Sequence, residues 1–196
     1  MIPVSKKYPH LKIIIEDVSA GIRDGANFWN THFPRAVTTK HVTFQVCDIF
    51  REQPVKDAAV FHIRRVLHNW SDSYAKHILL ALHHAATPKT KLIVAELLLH
   101  PTCADPMHDN SAEREGYQYK YAPEPLLANY GSTHEVAYMT DLTMMTLFNG
   151  QDRTLPAMKK LLNESGWHIT HVFAKNERHL SHFLAERGSL QNSTKL

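Results

Sequence analysis

Short apolar runs rich in β-branched residues alternate along this chain with segments of helical period, and this alternation constrains the fold more than any other feature. The runs predict strands over residues 11–15, 42–47, 58–63 and 91–95. Between the last two strands, Ser71 or Asp72 precedes a predicted helix that ends before Pro88. The apolar face of this helix is formed by Ala75, Ile78, Leu79, Leu82 and Ala86. This order of elements predicts an α/β fold in which helices cover both faces of a parallel sheet.

Acidic residues and one histidine follow the predicted strands directly. Asp17, Asp48 and Glu96 each stand at or just after a strand end, and His68 follows the third strand. The carboxyl ends of parallel strands meet at one edge of a sheet, where ligands usually bind. A single acidic residue at a strand end is often only structural. Several in succession favour a functional site.

Composition excludes several classes of protein. A net charge of +3 over 196 residues, with Lys and Arg scattered, gives no electrostatic footprint for nucleic acid. No apolar run is long enough to predict a membrane span. The two cysteines, Cys47 and Cys103, are far apart and favour a reduced, cytoplasmic setting. We predict one domain over residues 1–187 and a disordered tail over 188–196.

The second half of the chain is less regular. Residues 100–133 form a long polar stretch with several tyrosines and prolines, which indicates a lid or a wall of a substrate pocket. Helical period resumes over residues 136–148, and Thr154 caps a further helix that has Pro156 in its first turn and Gly166 at its end. Residues 168–173 and 179–185 predict a closing pair of strands.

Four segments, in this order and spacing, carry a resemblance to a known family. They are residues 8–12 (YPHLK), 47–50 (CDIF), 64–72 (RRVLHNWSD) and 148–154 (FNGQDRT). From about residue 8 to residue 186 the chain resembles the C-terminal catalytic domain of plant and fungal O-methyltransferases of the caffeate type, and residues 126–131 (LLANYG) are closer to the fungal branch. The resemblance implies a Rossmann-like class I methyltransferase sheet that uses S-adenosylmethionine.

The resemblance implies roles for three residues in the chemistry of methyl transfer to a small aromatic hydroxyl compound. His68 matches the general base that removes the phenolic proton, a step that a neutral imidazole can perform. Glu96 matches the carboxylate that orients this histidine, and Asp152 matches a second one. Outside this motif, a histidine at such a position is more often a structural one.

The resemblance also implies binding residues. Asp17 matches the acid that binds the ribose hydroxyls of the cofactor, and Asp48 with Ile49 matches the pair beside the adenine. Arg64 stands where the family has a basic residue near the cofactor. Two further assignments have structural alternatives. Trp70 could stack on the adenine or lie in the core, and Met144 could contact the substrate or pack with Met145 and Phe148.

Three departures from the family pattern stand out. Asn69 replaces the usual aspartate after the base, and Asp152 replaces a glutamate that is one methylene longer. The glycine-rich loop that follows the family's first strand would lie before Tyr8, and Gly21 and Gly25 come too late to supply it. We therefore expect an incomplete sheet that lacks its first strand, with weak cofactor binding or none in the isolated chain.

Two alternative functions follow from these departures and from the 15 histidines. A truncated, non-catalytic homologue could act as the partner of a full-length methyltransferase, as part of a homo- or hetero-oligomer. A metal-binding protein is the other alternative, but His83 and His84 project in different directions, and His168 and His171 would face opposite sides of a strand. His179 and His182 share that spacing. We therefore predict no metal.

Overall fold

The computed structural model describes residues 1–103, 116–117, 119, 121–174 and 180–190. It divides into two compact units, Met1–Pro54 and Val55–Leu196. Each unit has its own parallel strand pair and is described by itself.

The first unit is a two-stranded parallel sheet with helices. Its elements are α1 (Ile2–Lys7), β1 (Ile13–Asp17), α2 (Ser19–His32), α3 (Pro34–Thr38) and β2 (Val42–Val46). β1 and β2 pair in register from Ile13 opposite Val42 to Asp17 opposite Val46. Both strands therefore end at the same edge. The core of this unit consists of Ile13, Trp29, Ala36 and Val42.

The second unit is built on a four-stranded mixed sheet in the order β3-β4-β8-β7. These strands are β3 (Val60–Arg64), β4 (Lys91–Glu96), β7 (Trp167–Phe173) and β8 (Ser181–Arg187). β3 and β4 are parallel, whereas β8 pairs antiparallel with both β4 and β7. A separate two-residue parallel pair joins β5 (Leu98–Leu99) to β6 (Arg153–Thr154).

Three helices of the second unit are α4 (Asp72–Ala85), α5 (Glu135–Phe148) and α6 (Leu155–Glu164). The predicted face of α4 is buried at Ala75, Ile78, Leu79 and Leu82, while Ala86 lies one residue beyond the helix as its C-cap. Trp167 of β7 is fully buried, and its indole donates a hydrogen bond to the carbonyl of Leu79 (3.1 Å). Burial of this apolar face, more than intrinsic helix propensity, stabilises α4.

The predicted elements agree with the structure to within about two residues at most ends. Ser71 is the N-cap of α4 and Thr154 that of α6, although neither side chain makes a capping hydrogen bond. Within the predicted long loop, Tyr119 is buried and its hydroxyl accepts a hydrogen bond from the Leu155 amide at the start of α6 (2.9 Å). Residues 104–115, 118 and 120 of that loop, His179 and residues 191–196 of the predicted tail lie outside the described residues.

Strands β1 and β3 each pair with one neighbour among the described residues. Apolar side chains on them are exposed, with Ile14 of β1 at 45% and Val60 of β3 at 47%. None of the described helices combines the length and apolar character that crossing a membrane requires.

Candidate active site

His68 is held in a 3₁₀ turn, Leu67–Asn69, that follows β3. The preceding Leu67 is completely buried, and His68 itself is only 5% exposed. Arg65, between β3 and this turn, has a positive φ of 53°, which redirects the chain at the strand end. The buried leucine and the turn together fix the position of the imidazole at the carboxyl end of β3.

Asp152 is the carboxylate beside the His68 ring. Its Oδ1 lies 3.5 Å from Nδ1 of His68, and both side chains are almost completely buried. This separation exceeds an ordinary hydrogen bond, as expected for a side chain one methylene shorter than glutamate. Nδ1 of His68 and both oxygens of Asp152 have no hydrogen-bond partner among the described residues. The pair is therefore positioned for a charge-assisted contact that a small movement would close.

Glu96 is the last residue of β4, and its side chain binds main-chain amides at the start of the His68 turn. Its Oε1 accepts hydrogen bonds from the amides of Val66 (3.0 Å) and Leu67 (2.8 Å). Burial raises the pKa of Glu96, while the nearby His68 ring and the two amides act in the opposite direction. Its Oε2 has no hydrogen-bond partner within the described part of the chain. Glu96 thus fixes the backbone that carries the histidine, in addition to lying near its ring.

These three residues form one buried cluster. One nitrogen or oxygen from each of His68, Glu96 and Asp152 lies within 4.8 Å of the others. One imidazole and two carboxylates could also coordinate a divalent cation. No second group of this kind occurs among the described residues.

The first unit brings Asp17, Asp48 and Ile49 to the carboxyl ends of β1 and β2. Oδ1 of Asp17 accepts a hydrogen bond from the Val18 amide (2.7 Å). Gly21 leaves room for this carboxylate, since a Cβ there would lie 2.5 Å from its Cγ. Oδ1 of Asp48 accepts a hydrogen bond from the Phe50 amide (3.0 Å). Both carboxylates and Ile49 are exposed to solvent.

Arg64 and Trp70 lie on either side of His68 in the second unit. Arg64 is the last residue of β3 and is exposed. Trp70 is half-buried and its ring is 5.9 Å from that of Tyr74. Because it is only half-buried, Trp70 is not a fully buried core residue. A partly exposed indole at this position is compatible with stacking on a ligand.

Met144 lies on α5, a helix none of whose residues is buried. Met144 is half-buried, while Met145 and Phe148 are each 54% exposed. In this chain none of the three side chains is part of a buried core. The apolar side chains of α5 are spread around the helix and are half-buried or exposed.

Three residues that the sequence analysis assigned no role contact the His68 turn. They are Gly150, Gln151 and Arg153, which flank Asp152. Their place in the segment 148–154 that carried the resemblance was the only signal for them. Nothing in the sequence indicates that they touch residues about eighty positions earlier.

Comparison with known proteins gives a consistent result. Residues 2–115 match the model of the O-methyltransferase domain family. An O-methyltransferase of Armillaria gallica is 36% identical over 179 residues, which are 90% of this chain and 37% of that protein. A 4-O-methyltransferase of Phanerochaete chrysosporium is 36% identical over 177 residues, 89% of this chain and again 37% of the relative. The chain thus spans little more than a third of these relatives.

Solved structures agree on the fold. The mitomycin 7-O-methyltransferase superimposes with a TM-score of 0.72 at 19% identity. The superimposed part is 96% of this chain and 45% of that protein's chain. An O-methyltransferase from neocarzinostatin biosynthesis, solved with S-adenosylmethionine and 2-hydroxy-5-methyl naphthoic acid, superimposes with a TM-score of 0.68 at 16% identity and covers 95% and 44%. The predicted α/β methyltransferase fold class is confirmed.

Proposed function

Since the chain belongs to the family of O-methyltransferase domains, we propose that it transfers a methyl group from S-adenosylmethionine to the phenolic hydroxyl of a small aromatic molecule, with His68 as the general base. The observation that carries this proposal is the buried cluster, in which Nδ1 of His68 lies 3.5 Å from Oδ1 of Asp152. Membership of the family indicates methyl transfer, and the cluster supplies a residue that can remove the acceptor's proton.

The chemistry requires a base because a phenol, with a pKa of about 10, is mostly protonated near neutral pH. When bound, the cofactor supplies an electrophilic methyl carbon on a sulfonium, so that a C–O bond forms as the C–S bond breaks. With Nδ1 facing Asp152, the proton is best placed on Nδ1, and the lone pair of Nε2 is left to accept the phenolic proton. The Asp152 carboxylate then stabilises the imidazolium that forms.

The residues present fit a nucleoside cofactor in part. Asp17 and Asp48 place two exposed carboxylates at one edge of a parallel sheet, an arrangement suited to ribose hydroxyls and an adenine amine. In the second unit, the half-buried indole of Trp70 offers a stacking surface. We propose that Asp17, Asp48, Ile49, Arg64 and Trp70 bind the cofactor, without a resident metal.

The acceptor is proposed as an aromatic compound with a free hydroxyl. The neocarzinostatin relative was solved with 2-hydroxy-5-methyl naphthoic acid, and in a second structure with 1,4-dihydroxy-2-naphthoic acid. On this chain the half-buried thioether of Met144 is suited to contact with an aromatic ring. Because Cys47 and Cys103 are both free, we also propose a reducing, cytoplasmic setting.

The first prediction concerns His68→Ala. At saturating cofactor, we expect this change to lower the rate of methyl transfer to a panel of phenols by about 10²- to 10⁴-fold, because the acceptor loses its base. His84→Ala removes an exposed imidazole from α4 and serves as the matched control with unchanged activity. Undiminished transfer by His68→Ala would show that this histidine is not the base.

A second candidate is a non-catalytic partner of a full-length methyltransferase. It is favoured by the exposed apolar side chains of α5, among them Val136 at 77% and Leu147 at 68% exposure. This function predicts no methyl transfer by the chain alone, together with co-elution with a full-length relative in size-exclusion chromatography. Transfer by the chain alone would eliminate it.

A further inference from the structure

Arg153 is a buried cation whose five N–H groups all have acceptors. Its side chain is only 2% exposed. Nη1 donates to the carbonyls of Leu67 (3.0 Å) and Gln151 (3.4 Å), and Nη2 donates to the carbonyl of Trp70 (2.9 Å). The remaining donors, Nε and the second N–H of Nη2, reach Oδ1 of Asp72 at 3.0 and 2.8 Å. A guanidinium so fully satisfied defines one geometry for the groups around it.

Two of these acceptors bracket the proposed base. Leu67 begins the turn that carries His68 and Trp70 is its C-cap, and the carbonyl of His68 itself accepts a hydrogen bond from the amide of Gln151 (2.9 Å). The side-chain amide of Gln151 donates to the same Asp72 oxygen (2.8 Å). Residues 151–153 therefore bind three main-chain carbonyls at or beside the histidine, those of residues 67, 68 and 70.

The same segment carries the carboxylate beside the base. Asp152 lies between Gln151 and Arg153, and its own amide donates a hydrogen bond to Oδ1 of Asp141 (2.7 Å). These contacts together hold the backbone that carries the carboxylate beside His68. Since Oδ1 of Asp152 is already 3.5 Å from Nδ1 of His68, a small displacement of the segment would separate the pair.

We propose that Arg153 is a positioning residue that fixes His68 and Asp152 relative to each other, an inference that rests on the proposed role of His68 as base. Arg153 acts through the main chain of the His68 turn and need not contact cofactor or acceptor. Loss of a residue that only stabilises the fold would leave the His68 ring in place in the folded chain. Loss of Arg153 is expected to change the position of that ring relative to Asp152.

The variant Arg153→Lys tests this directly. Lysine keeps the charge but has three donors on one atom, so it cannot reach Leu67, Trp70 and Asp72 together. Trp167→Phe is the matched control, because it also removes a buried hydrogen bond of the second unit but contacts Leu79 rather than the His68 turn. Urea unfolding measures how much the free energy of unfolding falls in each of the two variants.

The deciding measurement is the ¹H–¹³C spectrum of the histidine rings, with the His68 signal assigned through His68→Gln. The spectrum is recorded for the folded full chain and requires no catalysis. We expect the His68 ring signal to move in Arg153→Lys and to stay in place in Trp167→Phe. A His68 signal that overlays the wild type in Arg153→Lys would overturn the proposal.

Kinetics provides the second measurement. In Arg153→Lys we expect kcat for an ordinary phenol to fall by about 10- to 100-fold, with little change for a nitrophenol that is already ionised. Arg153→Lys combined with His68→Ala should be no slower than His68→Ala alone. Equal losses for both acceptors would overturn the positioning role. Full activity of His68→Ala would instead refute the proposed base, and the ring spectrum would still decide whether Arg153 positions it.

Discussion

Among single residues, Glu96 is at once buried, ionisable and hydrogen-bonded to the backbone that carries His68. It is 2% exposed, and its carboxylate holds the amides of Val66 and Leu67. Burial raises its pKa, so the folded chain binds this proton more tightly than the unfolded chain does. The contribution of Glu96 to stability is therefore greatest at low pH and is lost as pH rises through the raised pKa.

Replacement of Glu96 by Gln should remove this pH dependence. The amide oxygen of Gln can still accept the two backbone hydrogen bonds but carries no charge. The free energy of unfolding of Glu96→Gln should therefore improve relative to the wild type as pH increases above the ordinary pKa of glutamate. Urea unfolding at several pH values checks this, with exposed Glu135→Gln as the control. If the free energies of unfolding of Glu96→Gln and the wild type change equally with pH, the pKa of Glu96 is not raised in the folded chain.

At this scale the sequence allowed prediction of which residues form the cluster but not of their contacts. His68, Glu96 and Asp152 lie in segments that resemble the family, and all three are buried together. The hydrogen bonds from Glu96 to the backbone, and the 3.5 Å gap at Asp152, depend on how two distant segments pack. Neither residue type nor spacing encodes that packing.

Among elements, the contact between the His68 turn and the segment after α5 needs a glycine. Gly150 does not have a positive φ, so its importance is a matter of space. A Cβ at this position would lie 2.2 Å from the carbonyl oxygen of His68 and 2.7 Å from the carbonyl carbon of Asn69. Both neighbours are backbone atoms, which cannot rotate away as a side chain could.

Gly150→Ala should therefore displace the His68 turn and lower the free energy of unfolding by about 1–3 kcal/mol. Gly25→Ala is a matched control, because its new Cβ would meet only the Phe44 ring at 3.9 Å within a helix. That control should be neutral or slightly stabilising, since alanine favours helix. The difference is measured by thermal or urea unfolding. Equal effects of the two substitutions would contradict the close approach.

The elements themselves were predictable where their apolar pattern was strong. The strands of the two parallel pairs, β1–β2 and β3–β4, follow β-branched runs, and α4 follows a clear apolar face. The pair β5–β6 was not predictable, because two-residue strands carry no period. The helix α5 was predicted correctly as a helix, but the sequence pattern alone does not determine whether its apolar side chains are buried.

For the whole molecule, the strand order β3-β4-β8-β7 illustrates what the sequence leaves undetermined. The last two strands were predicted as a pair, but insertion of β8 between β4 and β7 brings together residues about ninety positions apart. Such long-range pairing depends on the complete core. Apolar side chains are exposed on β1, on β3 and around α5.

The central claim is that this chain transfers a methyl group to a phenolic oxygen. The most direct measurement supplies S-adenosylmethionine with a ¹³C-labelled methyl group, at saturating concentration, to the full chain and a panel of phenols. We expect a new aryl methyl ether carbon signal with the wild-type chain and its loss in His68→Ala. A label that stays on the sulfonium with the wild-type chain would contradict methyl transfer by this chain.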